Sequence, residues 1–556
     1  MPMASNKIIL YQIFTRLYGN RRISPKENGT IAQNGCGKMN DFTPTALKKI
    51  REMGVSHIWY TGIIRHATQT DYSAYGIPKN HPAIVKGKAG SPYAITDYYD
   101  VDPDLAKDVN LRMQEFEQLV ERTHKEGMKV IIDFVPNHVA RQYHSICKPE
   151  GVKDLGEEDR TDLGFDPQNN FYYCPGQRFT PYFDLYHGET EPYIEEPAKA
   201  TGNDCFHNAP GMNDWYETVK LNYGVDYYAG RVGHFDPIPN TWSKMTDILL
   251  FWAKKGVDGF RCDMAEMVPV EFWRWAIDKV KFICPDMIFI GEVYNPAEYR
   301  NYLSAGFDYL YDKVGMYDTL REVIRGNQST HAITSAWQQT DDIRDHMLYF
   351  LENHDEQRIA SSFFAGNAFK AIPGLVVSAL LQQNPFMFYA GQEYGERGMD
   401  KEGFSGNDGR TTIFDYWSVD TLMRAASKRL NESEVALKHI YSKVLKVAST
   451  EVAVLEGVLF DLMYVNGDYH RQYAFLRKAA DNEVLLVVAN FDDIPVTMHV
   501  TIPAHAFDFL KMKEKNSVAL DLLSGHKQKV HLRRNDSIPV ELEPNGAVVL
   551  KIQMLN

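Results

Sequence analysis

Two acidic residues stand where short apolar runs end: Asp263 closes GFRCD, and Glu292 sits in IFIGEVY. Retaining cleavage of a glycosidic bond needs two carboxyl groups about 5–5.5 Å apart, one as nucleophile and one, kept protonated, to donate to the leaving oxygen. Arg261 lies two residues before Asp263, on the same strand face by the period of two, where its charge favours an ionised aspartate. Glu292 follows an apolar run, and partial burial near a second carboxylate raises a pKa, as a general acid requires. Taken singly, a strand-end Asp or Glu is more often a helix cap or an ion-pair partner. The combination is what points to chemistry.

These residues need strands to hold them, and the chain supplies a repeated grammar for it. In REMGVSHIWYTG, HKEGMKVIIDFVPNH and AKKGVDGFRCD a helix-period stretch meets Gly54, Gly127 or Gly256, then a short β-rich run. A glycine there can take the left-handed conformation that closes a helix and returns the chain to a buried strand. The first helix has Thr43 as N-cap and Pro44 at its first position, with Leu47 and Ile50 on one face. The second has Asn110 ahead of Met113, Phe116 and Val120. KIILYQIF, MIFIGEVY, a run near 309–314, MLYFLENHD and PFMFYAGQE complete a set of eight strands, several of them continuous apolar runs as buried parallel strands require. A closed (β/α)8 barrel or a doubly wound sheet follows; no GxGxxG opens a helix, and the polar clusters sit at strand C-terminal ends, which favours the TIM-type barrel.

Two stretches break this grammar. Residues 139–235, rich in Tyr, Pro, Gly, Asn and Asp, read as an excursion domain between the third strand and its helix. From 450 to 556, short alternating runs such as QYAFLRKA, EVLLVVANF and GAVVLKIQM read as a C-terminal antiparallel β-sandwich. The barrel then comprises 1–138 and 236–449. A length of 556 residues fits such a multidomain enzyme, and a composition 44% hydrophobic and 24% charged is that of a folded chain. The net charge of -13, without clustered Lys and Arg, argues against nucleic acid or anionic membrane as partners. The 12% aromatic content suits a neutral sugar, although core packing is the commoner use of such residues. The six cysteines lack CxxC or metal-ligand spacing and read as free. The start, MPMASNKIILYQIF, has no basic n-region with a long apolar stretch, and no run reaches membrane-spanning length. A cytoplasmic protein is expected, or an exported one whose signal has been removed.

DFVPNH (Asp133 to His138), GFRCD (Gly259 to Asp263), GEVY around Glu292 and ENHD (Glu352 to Asp355) resemble, in order and strand placement, the four motifs of the α-amylase family, glycoside hydrolase family 13. The resemblance covers nearly the whole chain. It implies Asp263 as nucleophile, Glu292 as acid/base and Asp355 as the carboxylate that binds ring hydroxyls and stabilises the oxocarbenium-like transition state. It further implies that Arg261 positions Asp263, that His138 and His354 bond hydroxyls at the cleavage subsite, and that Asp133 supports the rim. In SPYAITDYYDVDP, Tyr93 falls at the family's stacking tyrosine and Asp97 at its following aspartate. All six are expected to serve substrate binding.

The chain also departs from the family. Where many members carry a Lys-His pair after the nucleophile motif, it has Glu266 and Met267, which alters the acceptor side. Asn137 matches a calcium-binding asparagine and is the candidate metal ligand, but VKLNYG places Lys220 where an acidic ligand is usual. An ammonium does not coordinate calcium, so a structural calcium meets an obstacle, and Asn137 has an alternative role in tying down its loop. The chemistry itself calls for no cofactor. The expected activity is hydrolysis of α-1,4 linkages in starch-like glucans or maltooligosaccharides. A transglycosidase or sugar isomerase using the same intermediate is the alternative. A non-catalytic carbohydrate-binding subunit is a third reading, against which all three carboxylates stand.

Overall fold

The computed structural model describes residues 7–186, 191–398, 401–404, 406–480 and 483–554, so the first six residues of the start read for an export signal lie outside it. Eight strands, β1 (Ile9–Phe14), β2 (His57–Thr61), β3 (Lys129–Phe134), β4 (Gly259–Cys262), β5 (Ile288–Gly291), β6 (Tyr309–Tyr311), β7 (Met347–Phe350) and β8 (Phe386–Tyr389), close into one barrel. Neighbours in sequence are neighbours in space, all parallel, and β8 pairs back onto β1. The eight expected runs supply these strands. Continuous apolar sequence was the readable sign because barrel strands are covered on both faces, by the filled interior and by the outer helices.

The glycine exits and the cap of the first helix act as expected. Gly54, Gly127 and Gly256 have φ of 97°, 75° and 90°, the left-handed exit that turns each helix into the next strand. The Thr43 hydroxyl accepts the Ala46 amide at 3.2 Å, Pro44 opens the helix, and Leu47 and Ile50 are buried. The helix Arg112–Lys125 has no side-chain cap of its own; it continues a short 3-10 turn, Val109–Leu111, whose cap is Asp108, accepting the Asn110 amide at 3.0 Å, so Asn110 lies inside that turn.

Between β3 and the helix Asn240–Lys254 the excursion forms small antiparallel pairs, including His138–Ala140 with Thr218–Lys220, and Tyr173–Cys174 with Ala198–Lys199. Because His138 and Lys220 are directly opposite one another, the excursion is sewn to the barrel at the strand-end rim. Beyond the barrel, Val458–Asp461, Gln472–Lys478, Glu483–Asn490, Ala547–Gln553, Lys515–Asp521 and Lys527–Leu532 form, in that spatial order, a six-stranded antiparallel sheet. Val496–Ile502 and Asp536–Leu542 form a separate antiparallel pair. Among the described residues no helix is long and apolar enough to cross a membrane, and all six cysteines are free.

Candidate active site

Strand register delivers the carboxylates. Asp263 and Glu292 are the first residues past β4 and β5, and their amides continue the ladder, Asp263 N–H to the Phe134 carbonyl at 2.9 Å and Glu292 N–H to the Cys262 carbonyl at 3.1 Å. Arg261, inside β4 and opposite Asp133 of β3, is fully buried. Its guanidinium donates through Nη1 to Asp263 Oδ1 at 2.8 Å and through Nη2 to Glu292 Oε2 at 2.7 Å. Asp133 Oδ1 lies 3.4 Å from Nη1 and Asp355 Oδ2 3.9 Å from Nη2. Nε donates to the Tyr311 hydroxyl at 3.1 Å, and the ring of Trp59 stands 5.0 Å from the guanidinium carbon. One cation therefore faces four carboxylates.

That imbalance sets the proton inventory. Burial pushes the Asp263 carboxyl well above its usual range, Arg261 opposes the rise, and repulsion from Glu292, Asp355 and Asp133 reinforces it. Arg261 favours the ionised form of Asp263, as expected, but one guanidinium is outnumbered, and titration belongs to the cluster rather than to one member. At Asp355, burial also pushes upward, but His354, Arg261 and Arg410 outweigh it and bring the carboxyl down to about 2. Its side chain is 37% exposed and opens into the cavity. Glu292 is gripped on both oxygens, Oε2 also by the Met264 amide at 2.9 Å and Oε1 by the Tyr294 hydroxyl at 2.5 Å.

The cavity above has a volume of about 400 Å³. Tyr93, His138 and His354 line it with the three carboxylates. His354 receives the Gln12 amide on Nδ1 at 2.7 Å, which leaves its proton on Nε2, 3.0 Å from Asp355 and 2.5 Å from the Tyr93 hydroxyl. Burial, then Lys220 and Lys86, lower the His138 pKa to about 3, so this imidazole is neutral over ordinary pH.

Three of the six residues expected to serve substrate binding do not line the cavity. Asp133 and Arg261 lie beneath the floor: Asp133 accepts from the Trp59 indole at 3.0 Å and the Tyr93 hydroxyl at 3.4 Å and faces Arg261, an arrangement that holds the rim, as Arg261 holds Asp263. Asp97 is outside the cavity altogether. Wholly buried, it accepts from the Ser145 hydroxyl at 2.6 Å and the Ile146 amide at 2.8 Å, and pairs with Arg65 at 3.4 Å. It knots the start of the excursion to a bulged ribbon, Ile64–His66 with Ile95–Val101.

Several contributors were not read in the sequence. Tyr294 shares the Glu292 strand direction two residues on, and Gln12 is a lone polar residue inside the apolar run of β1; both signals were present. Trp215, whose ring lies 5.2 Å from His138, and Arg410 and Phe414 reach the cavity from aperiodic loops that carry no such signal. Glu266 does not line this cavity; its carboxylate caps the Tyr294 and Asn295 amides at 3.2 and 3.0 Å.

The candidate calcium ligand, Asn137, faces an ammonium. Its Oδ1 accepts from Lys220 Nζ, while its amide donates to the Gly202 carbonyl at 2.8 Å. Lys220 Nζ also meets Asp204 Oδ1 at 2.8 Å and the Met267 carbonyl at 3.2 Å. Calcium takes six to eight oxygens and repels a cation placed among them, so this donor set does not fit it. Among the described residues, Asp97, Asp100 and Cys147 have metal-like spacing, but Arg65 and Arg112 already neutralise both aspartates, at 3.4 and 2.7 Å.

The family description "alpha amylase, catalytic domain" matches residues 25–435, and "alpha amylase, C-terminal all-beta domain" matches 464–553. Alpha-amylase 3 of Dictyoglomus thermophilum is 24% identical over 467 residues, 77% of this chain and 80% of that protein. The chain spans only 45%, 58% and 49% of three further curated relatives. An alpha-1,4-glucan:maltose-1-phosphate maltosyltransferase of Cereibacter sphaeroides is 25% identical over 240 residues, 42% of this chain and 30% of that one. The α-amylase of Geobacillus thermoleovorans, solved with acarbose, superposes over 100% of both chains with a TM-score of 0.66 at 18% identity, a likeness of fold.

Proposed function

The chain belongs to the α-amylase family of glycoside hydrolases, and from that premise we propose that it cleaves α-1,4-glucosidic bonds of starch-like glucans or maltooligosaccharides with retention, through a covalent glycosyl-enzyme. The observation that carries this reading is the grip of Arg261 on Asp263 and Glu292 through the two ends of one guanidinium, at the floor of a cavity into which Asp355 opens.

In the first step an Asp263 oxygen forms a bond to the anomeric carbon as the glycosidic C–O bond breaks, and Glu292 gives its proton to the departing oxygen. In the second step a water attacks the same carbon, Glu292 takes its proton, and Asp263 leaves, restoring the starting configuration. Asp355, held ionised by His354 and Arg261, stands where it can bond ring hydroxyls and face positive charge developing on the sugar. Tyr93 and Trp215 offer aromatic faces to the pyranose, and neutral His138 offers a hydrogen bond.

A sugar hydroxyl can replace the water, and the match to a maltosyltransferase keeps transfer as the second reading. Incubation with maltoheptaose, followed by proton NMR of the first product and by chain-length analysis, tests both. An α-anomer and shorter chains support hydrolysis with retention; longer chains support transfer; a β-anomer contradicts the mechanism.

A further inference from the structure

We propose that the Lys220 ammonium is a built-in structural cation, holding the junction of excursion and barrel in the place where a divalent ion would otherwise be needed. Three chain segments meet on its Nζ. Asn137 Oδ1 comes from the loop after β3, Asp204 Oδ1 from the excursion at 2.8 Å, and the Met267 carbonyl from the turn after β4 at 3.2 Å. An ammonium has three N–H donors and no acceptor, which matches three oxygens. The charge carries no negative surplus: Lys220, itself buried, meets one carboxylate and two neutral oxygens, and Arg231 stands 3.6 Å from the other oxygen of that carboxylate.

Each anchor lies next to the site. Asn137 precedes His138 in sequence, and its amide nitrogen is 3.1 Å from His138 Nδ1. Met267 closes the short helix Ala265–Met267 that begins two residues after Asp263. Lys220 is paired in register with His138. A cross-link at this point therefore fixes two loops of the rim, as a bridging metal ion would, but it is covalently part of the chain and is not lost to a chelator. This inference stands whether the enzyme hydrolyses or transfers.

The test is thermal unfolding of the full chain after dialysis against EDTA, and again with 5 mM calcium chloride, for the native sequence, Lys220→Met and Asp204→Asn. The native protein is expected to unfold at the same temperature in both solutions. Lys220→Met is expected to unfold several degrees lower, and Asp204→Asn lower by a smaller margin. A native protein that loses thermal stability in EDTA and regains it with calcium overturns the proposal. So does a Lys220→Met protein as stable as the native one. Should Lys220→Met fail to fold, the native titration and Asp204→Asn still decide: an Asp204→Asn protein of native stability overturns the proposal.

Discussion

Arg261 and Lys220 are both fully buried cations ringed by oxygen, and they are built on opposite charge balances. Around Arg261 stand four carboxylates, at 2.7 to 3.9 Å. Around Lys220 stand one carboxylate and two neutral oxygens. The first arrangement is overloaded with negative charge, so Asp263 is driven toward holding a proton and the cluster stores repulsion. The second has no such surplus, since Lys220 at 2.8 Å and Arg231 at 3.6 Å share the one carboxylate of Asp204. A surplus of like negative charge is what acid/base chemistry requires, and a set without that surplus is what a fixed junction requires.

If that contrast is right, removing a charge has opposite consequences at the two places. Asp263→Asn is expected to lower turnover on α-glucans about 10⁴-fold or more, while its unfolding temperature is unchanged or rises, because one repelling charge has gone. Steady-state kinetics with a thermal melt checks both halves. Lys220→Met leaves Asn137 Oδ1 and the Met267 carbonyl without their donor, while Asp204, a quarter exposed, keeps Arg231 at 3.6 Å. The substitution is expected to cost about 2 kcal/mol of stability in denaturant unfolding. A Lys220→Met protein that keeps its stability but loses turnover would erase the distinction.

Two smaller changes sharpen the comparison inside the crowded site. Tyr294→Phe deletes the hydroxyl that donates to Glu292 Oε1 and is expected to lower kcat about tenfold with little change in KM. Asp133→Asn removes a charge that raises the Asp263 pKa. The folded-state pKa of Asp263 then falls, so the acid limb of the kcat/KM profile, where the nucleophile must lose its proton, moves to lower pH. A limb that stays in place or moves upward would show that Asp133 does not act on Asp263 electrostatically.

Much of this was legible in the chain, for physical reasons that differ by region. The eight barrel strands could be read because strands covered on both faces are continuous apolar runs, and Gly54, Gly127 and Gly256 mark their entrances with a conformation other residues avoid. Asp263 and Glu292 could be read because polar residues that end such runs emerge at one rim. The place of Asp97 outside the cavity was not legible, because sequence proximity to Tyr93 does not reveal that a bulged ribbon carries the chain away from it. Trp215, Arg410 and Phe414 were missed because loop residues have no period and arrive by tertiary contact. The Lys220 junction was half legible: the lysine in VKLNYG stood out against an acidic expectation, but Asp204 and the Met267 carbonyl, its other partners, carry no local mark in sequence.

The central claim is that Asp263 attacks the sugar, and trapping tests it most directly. The protein is incubated with 5-fluoro-α-D-glucosyl fluoride, which slows release of a glycosyl-enzyme, then digested and analysed by mass spectrometry. The account predicts one added fluoroglucosyl group on the peptide that contains Asp263, and none in Asp263→Asn. A label on a different residue, or none in a protein that still turns over α-glucans, would contradict it.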